Sequence, residues 1–469
     1  MSGLEHLTRE ELIDLVLRLH DTVVAQEKQH KRIAELEALV QRQAERISEL
    51  EEEVARLRGS RPGGIAIKPS IAKKEKKPRK GRGQCFSRRT LPATDVVYHA
   101  VESCPDCGRK LCGGSVKWRH QVVDIPPVKV TVTDHLFVER RCGVCGKKWT
   151  PDPREALCEI AIGRKSFGIN VMSLTAHLKT VCRVPIHQIG KLLYSLCGVK
   201  ISCGELVEIL HDMAEIGEVE YEGLLSRIRG SPVVNADETG WREDGANGYL
   251  WSFSTPSVRY YMYRRSRGSV VVKEALSEEF AGTLVTDFYA AYNIYLGAKQ
   301  RCWVHLGRDL KALAEKNPDL PDVVAWADAV MGVYHRAKDT LSMDYKDRER
   351  SRLRRRFQAE LLRLAKPYLR VKSAPQRVLA QRIERFASEL FVFVQYTDVP
   401  SENNAAERAI RPAVVARKIS GGTRSAKGSK TGSVLRSLFE TWNLNGQNTI
   451  DACRSMLVAH NRHTVPARA

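Results

Sequence analysis

From about Leu7 to Leu57, apolar residues recur at alternating three- and four-residue steps. Ile33, Leu36, Val40, Ile47, Leu50, Val54 and Leu57 form the a/d seam of a long helix, with Glu, Arg and Lys filling the other positions. Leu12, Leu15 and Leu19 share that register, and Gln26, Gln29 and Gln43 interrupt it. A helix with one narrow apolar stripe needs a partner, so residues 1–58 predict a coiled coil and a homo-oligomer, most simply a dimer. Residues 59–92 then lose all periodicity. They are rich in Pro, Gly and Lys, cannot bury a core, and read as a linker that is disordered when free.

Between residues 93 and 160 the stretch VKVTVTDHLFVERR alternates Val with Lys and Thr, which predicts a strand within an ordered hairpin. Residues 161–229 turn helical. IHQIGKLLYSLCG is an amphipathic helix ended by Gly198, and Ser202 can cap the next helix, CGELVEILHDMAE. Such a pair fits a helix-turn-helix, and it also fits any two packed helices. After Pro232 the texture changes to strands: PVVNADETGWRE, GYLWSFST and VRYYMYRR, then a helix, SVVVKEALSEEF, then a further apolar strand, GTLVTDFYAAYN. Three strands, a helix and a fourth strand suggest an RNase H-like layout over residues 230–304. Helices follow over 305–395, and residues 396–469 complete the core. The expected fold class is therefore multidomain α/β.

Charge adds a partner. The chain has 469 residues with 76 Lys and Arg against 55 Asp and Glu, a net charge of +21. A chain this basic meets polyanions, nucleic acid before anionic membrane. No run of about 18 apolar residues suggests a membrane span. The N-terminus lacks the basic and apolar regions of a secretory signal, so the cytoplasm is the expected compartment. In the linker, Arg79, Lys80 and Arg82 lie in PRKGRG, a segment suited to a DNA minor groove or to nonspecific phosphate contact.

Four of the twelve cysteines form two pairs, Cys104 with Cys107 and Cys142 with Cys145. Each pair is followed by a glycine that permits the positive φ of a metal knuckle. Two such pairs supply four sulfur ligands, which predicts a structural zinc.

Two aspartates, Asp237 and Asp287, end apolar strands that the layout sets side by side. Attack on a phosphodiester needs an activated nucleophile and a stabilised leaving oxygen, which two magnesium ions supply. Magnesium takes oxygen ligands, so carboxylates are the protein's contribution. A third is needed from a later helix, and SENNAAERAI offers Glu402 and Glu407. At about 100° per residue these two point some 140° apart, so only one can face the metals. Asn404 with Glu407 also reads as a helix N-cap with a capping-box glutamate. Pro412 predicts that the helix bends or stops just beyond Arg411.

Asp237-Glu238-Thr239, the DFYAAYN run from Asp287 to Asn293, Cys302-Trp-Val-His305 and Asn403-Asn404-Ala-Ala-Glu407-Arg408 together resemble the insertion-sequence-66 family of bacterial transposases. The order of segments resembles that family as well. The resemblance implies a DDE transposase with an RNase H-like core, using magnesium (or manganese) and recognising the element's terminal inverted repeats and target DNA. It selects Glu407 as the third acid, beside Asp237 and Asp287. It implies supporting roles for His305, Asn403, Asn404 and Arg408, a helical insertion before the glutamate, and small accessory proteins of the same element. Beyond the glutamate, Arg417, Lys418, Arg424 and Lys427 form a basic segment expected to contact DNA through the flexible loop SGGTRSAKGS. Here the chain departs from many relatives, which carry an aromatic-rich stretch. Two other readings stay open: a noncatalytic DNA-binding regulator, and a nuclease that hydrolyses without joining ends.

Overall fold

The computed structural model describes residues 90–163 and 165–464, with scattered positions between 8 and 49. The chain divides into two compact units, Met1–Val123 and Asp124–Ala469, and each is described by itself. Most of the coiled-coil seam, and the linker with Arg79, Lys80 and Arg82, lie outside the described residues.

In the first unit Cys104 begins a tight turn. Its carbonyl accepts from Gly108 N–H at 2.9 Å, and Gly108 takes φ +70°. In the second unit Cys142 opens a matching turn, with Gly146 N–H donating to its carbonyl at 3.0 Å and Gly146 at φ +67°. A two-residue ladder, β1 (Arg140–Arg141) with β2 (Lys148–Trp149), flanks that turn. The hairpin expected over VKVTVTDHLFVERR shrinks to this ladder. Val132 and Leu136 stand 88% and 85% exposed. A strand is stabilised by its cross-strand neighbours, and here the alternation meets none.

Helices α1 (Pro153–Leu157), α2 (Ile169–Thr180), α3 (Ile186–Cys197), α4 (Cys203–Ile216) and α5 (Glu218–Arg229) lead to the sheet. Gly198 ends α3 in the left-handed conformation, and Ser202 Oγ caps α4 by accepting from Glu205 N–H at 3.1 Å. One face of α4 is buried through Leu206, Ile209, Leu210 and Met213; its outer face carries Glu205, Glu208 and Glu215. An acidic outer face repels phosphate, so α4 is not built as a DNA-reading helix.

The sheet has five strands in the order β5-β4-β3-β6-β7: β3 (Val233–Glu243), β4 (Ala246–Ser254), β5 (Arg259–Arg264), β6 (Thr283–Thr286) and β7 (Lys299–Arg301). Asp244 and Gly245, at φ +50° and +77°, turn β3 into β4 as a primed hairpin. Helix α6 (Ser269–Leu276) returns the chain so that β6 lies parallel to β3, and β7 parallel to β6. Strand β7 is Lys-Gln-Arg, a sequence with no apolar signal, yet all three residues are buried. Each uses its polar end: Lys299 Nζ donates to Tyr295 O at 2.5 Å, and Gln300 Nε2 to Leu390 O at 3.1 Å. Arg301 belongs to the site described below.

Residues after β7 form α7 (Trp303–Lys316), α8 (Pro321–Asp339), α9 (Asp347–Ala365), α10 (Arg377–Phe386) and α11 (Val392–Gln395), with a core of their own around Trp303, Trp326 and Phe391. The chain ends in α12 (Asn404–Ser420), α13 (Ala426–Leu444) and α14 (Thr449–Thr464). Helix α12 runs straight through the Pro412 position rather than stopping at Arg411. A proline removes one N–H, and the neighbours packed on α12 hold the helix across that gap.

The free edge of β5 is closed by hydroxyls from α13. Ser433, Ser437 and Thr441 accept from the backbone N–H of Tyr263, Tyr261 and Arg259 at 3.1, 2.8 and 3.0 Å. Four helical residues rise about 6 Å and two strand residues about 6.6 Å, so hydroxyls four apart meet amides two apart. The edge is thereby denied to other strands. Among the described residues no helix is long and apolar enough to cross a membrane.

Candidate active site

Strand alternation decides which residues share a face. Val234 and Ala236 face the core with Trp251 and Phe253. Asn235, Asp237, Thr239 and Trp241 therefore face the opposite side, the one α12 covers. Three contacts attach α12 there: Asn403 to Asn235, Arg417 to Thr239, and Ala413 against Trp241.

Register supplies the second acid. Val233, Val234 and Asn235 pair with Thr283, Leu284 and Val285, a constant offset of fifty. Carried two residues further, that offset sets Asp237 beside Asp287, on neighbouring strands about 4.8 Å apart. Strand β6 ends at Thr286, so Asp287 stands just past its C-terminal end. Its Oδ1 accepts from Tyr289 N–H at 2.9 Å, and Asp237 Oδ1 accepts from Glu238 N–H at 2.9 Å. Burial pushes the Asp237 carboxyl up to about 7, with Glu238, Asp287 and Glu407 adding repulsion. Its acidic neighbours thus include Glu407, and Glu402 is not among them.

Glu407 lies in the first turn of α12. Its Oε1 is 3.4 Å from Arg308 Nη2 and 3.7 Å from His305 Nε2. Both partners stand on α7, one turn apart. The expected capping box is not formed: the N-cap is Asn403, with no side-chain cap bond, and Asn404 is the first helical residue. Asn403 is instead 1% exposed and spans the site. Its Nδ2 donates to Ala236 O at 2.8 Å, its Oδ1 accepts from Asn235 Nδ2 at 2.9 Å, and its N–H donates to Cys302 Sγ at 3.1 Å. Cys302 is buried, and burial raises its thiol above the ordinary range. It caps α7 and receives Asn403, which leaves His305 to face Glu407; His305 Nδ1 is buried without a partner.

Two clusters here carried no separate signal in the sequence. Glu238 follows Asp237 but points to the other face, where its side chain is 3% exposed. Burial raises its carboxyl; Tyr292 OH, donating at 2.5 Å, and Arg267, pairing at 2.9 Å, pull it back down. Arg301 is 0% exposed and grips the backbone at Asp287: Nη1 donates to Asp287 O at 2.8 Å and to Thr286 Oγ1 at 3.3 Å. Its Nη2 donates to Asn293 Oδ1 at 2.6 Å, and its Nε to Glu389 Oε2 at 2.6 Å, which ties the helices after β7 to the strand end. Phe288 packs edge-on against Phe386 of α10, with ring centroids 5.5 Å apart. The DFYAAYN run is thus a docking element whose first residue is the acid.

The donor set fits a divalent cation that takes oxygen ligands: two neighbouring aspartates and a helix glutamate crowd enough charge to raise one carboxyl. Among the described residues no group of three or more His, Cys, Asp or Glu side chains closes into a metal cage. Magnesium needs none, since it keeps several waters and uses one or two carboxylates.

The remaining expected residues scatter. Arg408 is exposed. Arg417 spends Nη1 on Thr239 Oγ1, at 3.0 Å, and on Gly240 O. Lys418 and Arg424 are exposed, and Lys427 lies 3.7 Å from Glu208. The loop they flank is stitched to β3, with Thr423 N–H donating to Arg242 O at 2.8 Å and Asp244 N–H to Thr423 O at 2.9 Å. Gly422 is required there, because a Cβ would meet Arg242 O at 2.1 Å. In the two cysteine turns, backbone N–H groups of Asp106 and Cys107 lower the Cys104 thiol, and those of Cys145 and Val144 lower Cys142.

A mixed α/β protein with a central sheet of this order is compatible with an RNase H-like core, and its strand-end acids mark the enzymes that work on nucleic-acid strands. The chain belongs to the transposase IS66 family, whose profile matches residues 164–431, more than half of its length. It is also similar to the uncharacterized protein y4qI of Sinorhizobium fredii, 22% identical over 448 residues, covering 86% of this chain and 76% of that protein.

Proposed function

We propose that this transposase is a DDE enzyme that binds the terminal inverted repeats of its element and cuts and joins DNA through Asp237, Asp287 and Glu407. The observation that carries this reading is the parallel register that sets Asp237 beside Asp287 on the face α12 covers with Glu407. Magnesium or manganese held by these carboxylates would activate the attacking oxygen and stabilise the leaving 3′-oxygen. The chain's own part is orientation. Asn403 holds the start of α12 against the strand that carries Asp237, and Arg301 holds the carbonyl of Asp287. Glu238, turned away and paired with Arg267, is kept out of the ligand set. His305 and Arg308 border Glu407 on the side open to a phosphate. Water attacks first to free a 3′-hydroxyl, which then attacks target DNA.

The same reading gives the cysteine turns a structural zinc, held by Cys104, Cys107, Cys142 and Cys145, and gives the N-terminal seam the role of a dimer contact. Exposed Lys418 and Arg424 remain as DNA contacts. The test is a strand-transfer assay on terminal-repeat DNA with magnesium. Joined products from the wild type and none from Asp237→Ala support the reading. Unchanged joining by Asp237→Ala overturns the mechanism, and hydrolysis without joining makes the protein a nuclease.

A further inference from the structure

A second cationic site lies on the same side of the sheet, past the far end of α12's first turn. Tyr261 OH donates to Ala409 O at 2.6 Å, which seats the start of α12 on β5. Arg436 of α13 lies over the rings of Trp241 and Tyr261, 5.2 and 5.9 Å from their centroids. Arg259 of β5 is joined to α13 through Thr441, whose Oγ1 accepts from Arg259 N–H at 3.0 Å and donates to its carbonyl at 3.1 Å. Glu440 stands one turn beyond Arg436.

Two more cations come from the end of α2 and the turn after it, Lys179 and Arg183. Arg183 holds a left-handed backbone at φ +60°, one of only three non-glycine residues to do so among those described. These groups feel one another. Burial lowers Arg436, with Arg183 adding repulsion; burial lowers Lys179, with Arg436 adding repulsion; burial lowers Arg259, with Arg408 adding repulsion. Glu440 is the acid among them, raised by burial and drawn down by Arg436, Arg183 and Arg259. Five cations thus surround one carboxylate, all but the exposed Arg408 half-buried, and among the described residues none of the five forms an ion pair. Cations gathered at such cost, with donors left open, suit an anion that arrives from outside.

We propose that Lys179, Arg183, Arg259, Arg408 and Arg436 form a track for the phosphodiester backbone of a DNA strand, leading to Glu407. Arg408 follows Glu407 directly, so the track begins beside the candidate triad and runs across α13 to the turn after α2. Glu440 limits the affinity so that the strand can be released. This rests on DNA being the substrate, but not on the chemistry at the triad.

The experiment is equilibrium binding of the full chain to a duplex of arbitrary sequence, in chelator, over a range of salt. Arg183→Gly removes the charge, and glycine accepts the left-handed backbone, so the melting temperature holds or rises. Affinity should fall roughly three- to tenfold, and the salt slope by about 0.9, one phosphate contact. Glu440→Gln should bind more tightly than the wild type. The proposal is overturned if Arg183→Gly keeps the wild-type salt slope or if Glu440→Gln binds no better. Since neither cleavage nor metal enters, failure of the triad would leave these results intact, and their failure would leave the triad untouched.

Discussion

The side-chain amide of Asn403 donates to the carbonyl of Ala236 at 2.8 Å, joining the N-cap of the helix that carries Glu407 to the residue before Asp237. Both residues are buried, and the bond is the shortest covalent-to-covalent route between the two acids. Replacing Asn403 by Ala leaves the Ala236 carbonyl and the Asn235 amide unpaired. A loss of about 1–3 kcal/mol is expected, since a buried polar group is left unsatisfied. Urea unfolding measures it. Strand transfer should fall much further than stability does, because Glu407 loses its fixed distance from Asp237.

Arg301 is the counterpart for Asp287. Its removal as Arg301→Leu strands Glu389 and frees the Asp287 carbonyl. Breaking a buried pair in this way costs about 3–5 kcal/mol. A double-mutant cycle with Glu389→Gln should show strong coupling between the two changes. Additive effects would mean that the pair does not act as one unit.

Titration of Asp237 gives a pH prediction. Its carboxyl, at about 7 in the folded chain, titrates near 3.9 when unfolded. The folded state therefore holds a proton that the unfolded state has lost between these values. Stability from this group is full below pH 4 and lost as pH rises through 7. In chelator, the wild type should lose stability over that window relative to Asp237→Asn. Magnesium should restore it, since a cation favours the charged form. Parallel pH curves for the two proteins in chelator would contradict the assignment.

The hydroxyl ladder on β5 predicts a local effect. Ser437→Ala leaves the Tyr261 N–H without its acceptor, at a cost of about 1–2 kcal/mol. Hydrogen exchange at that amide should quicken while the opposite edge of the sheet is unchanged.

Much of the site was legible because it follows from periodicity. Asp237 and Asp287 end apolar strands, and the order of strands, helix and strand brings them together. Glu407 needed the Asn-Asn-x-x-Glu-Arg pattern, since helical geometry alone could only separate it from Glu402. What escaped the sequence was decided by tertiary contacts. Lys-Gln-Arg reads as loop, yet becomes β7 because each polar end finds a buried partner. Asn403 and Asn404 look like caps, and only the packing of α12 on β3 turns Asn403 to the strand. Pro412 reads as a stop, but neighbours on both sides hold the helix through it. The primed turn at Asp244-Gly245 was readable, being the strongest short hairpin signal in the chain.

Helix-turn-helix geometry was likewise present in the local sequence, with Gly198 and Ser202 in their expected places. The role was not, because exposure decides it. The second helix buries its apolar face and shows glutamates outside.

The choice between Glu407 and Glu402 tests the account most directly. Strand transfer on terminal-repeat DNA with magnesium should be lost in Glu407→Gln and retained in Glu402→Gln, with DNA binding kept in both. Retained joining by Glu407→Gln, together with loss in Glu402→Gln, would contradict the assigned triad.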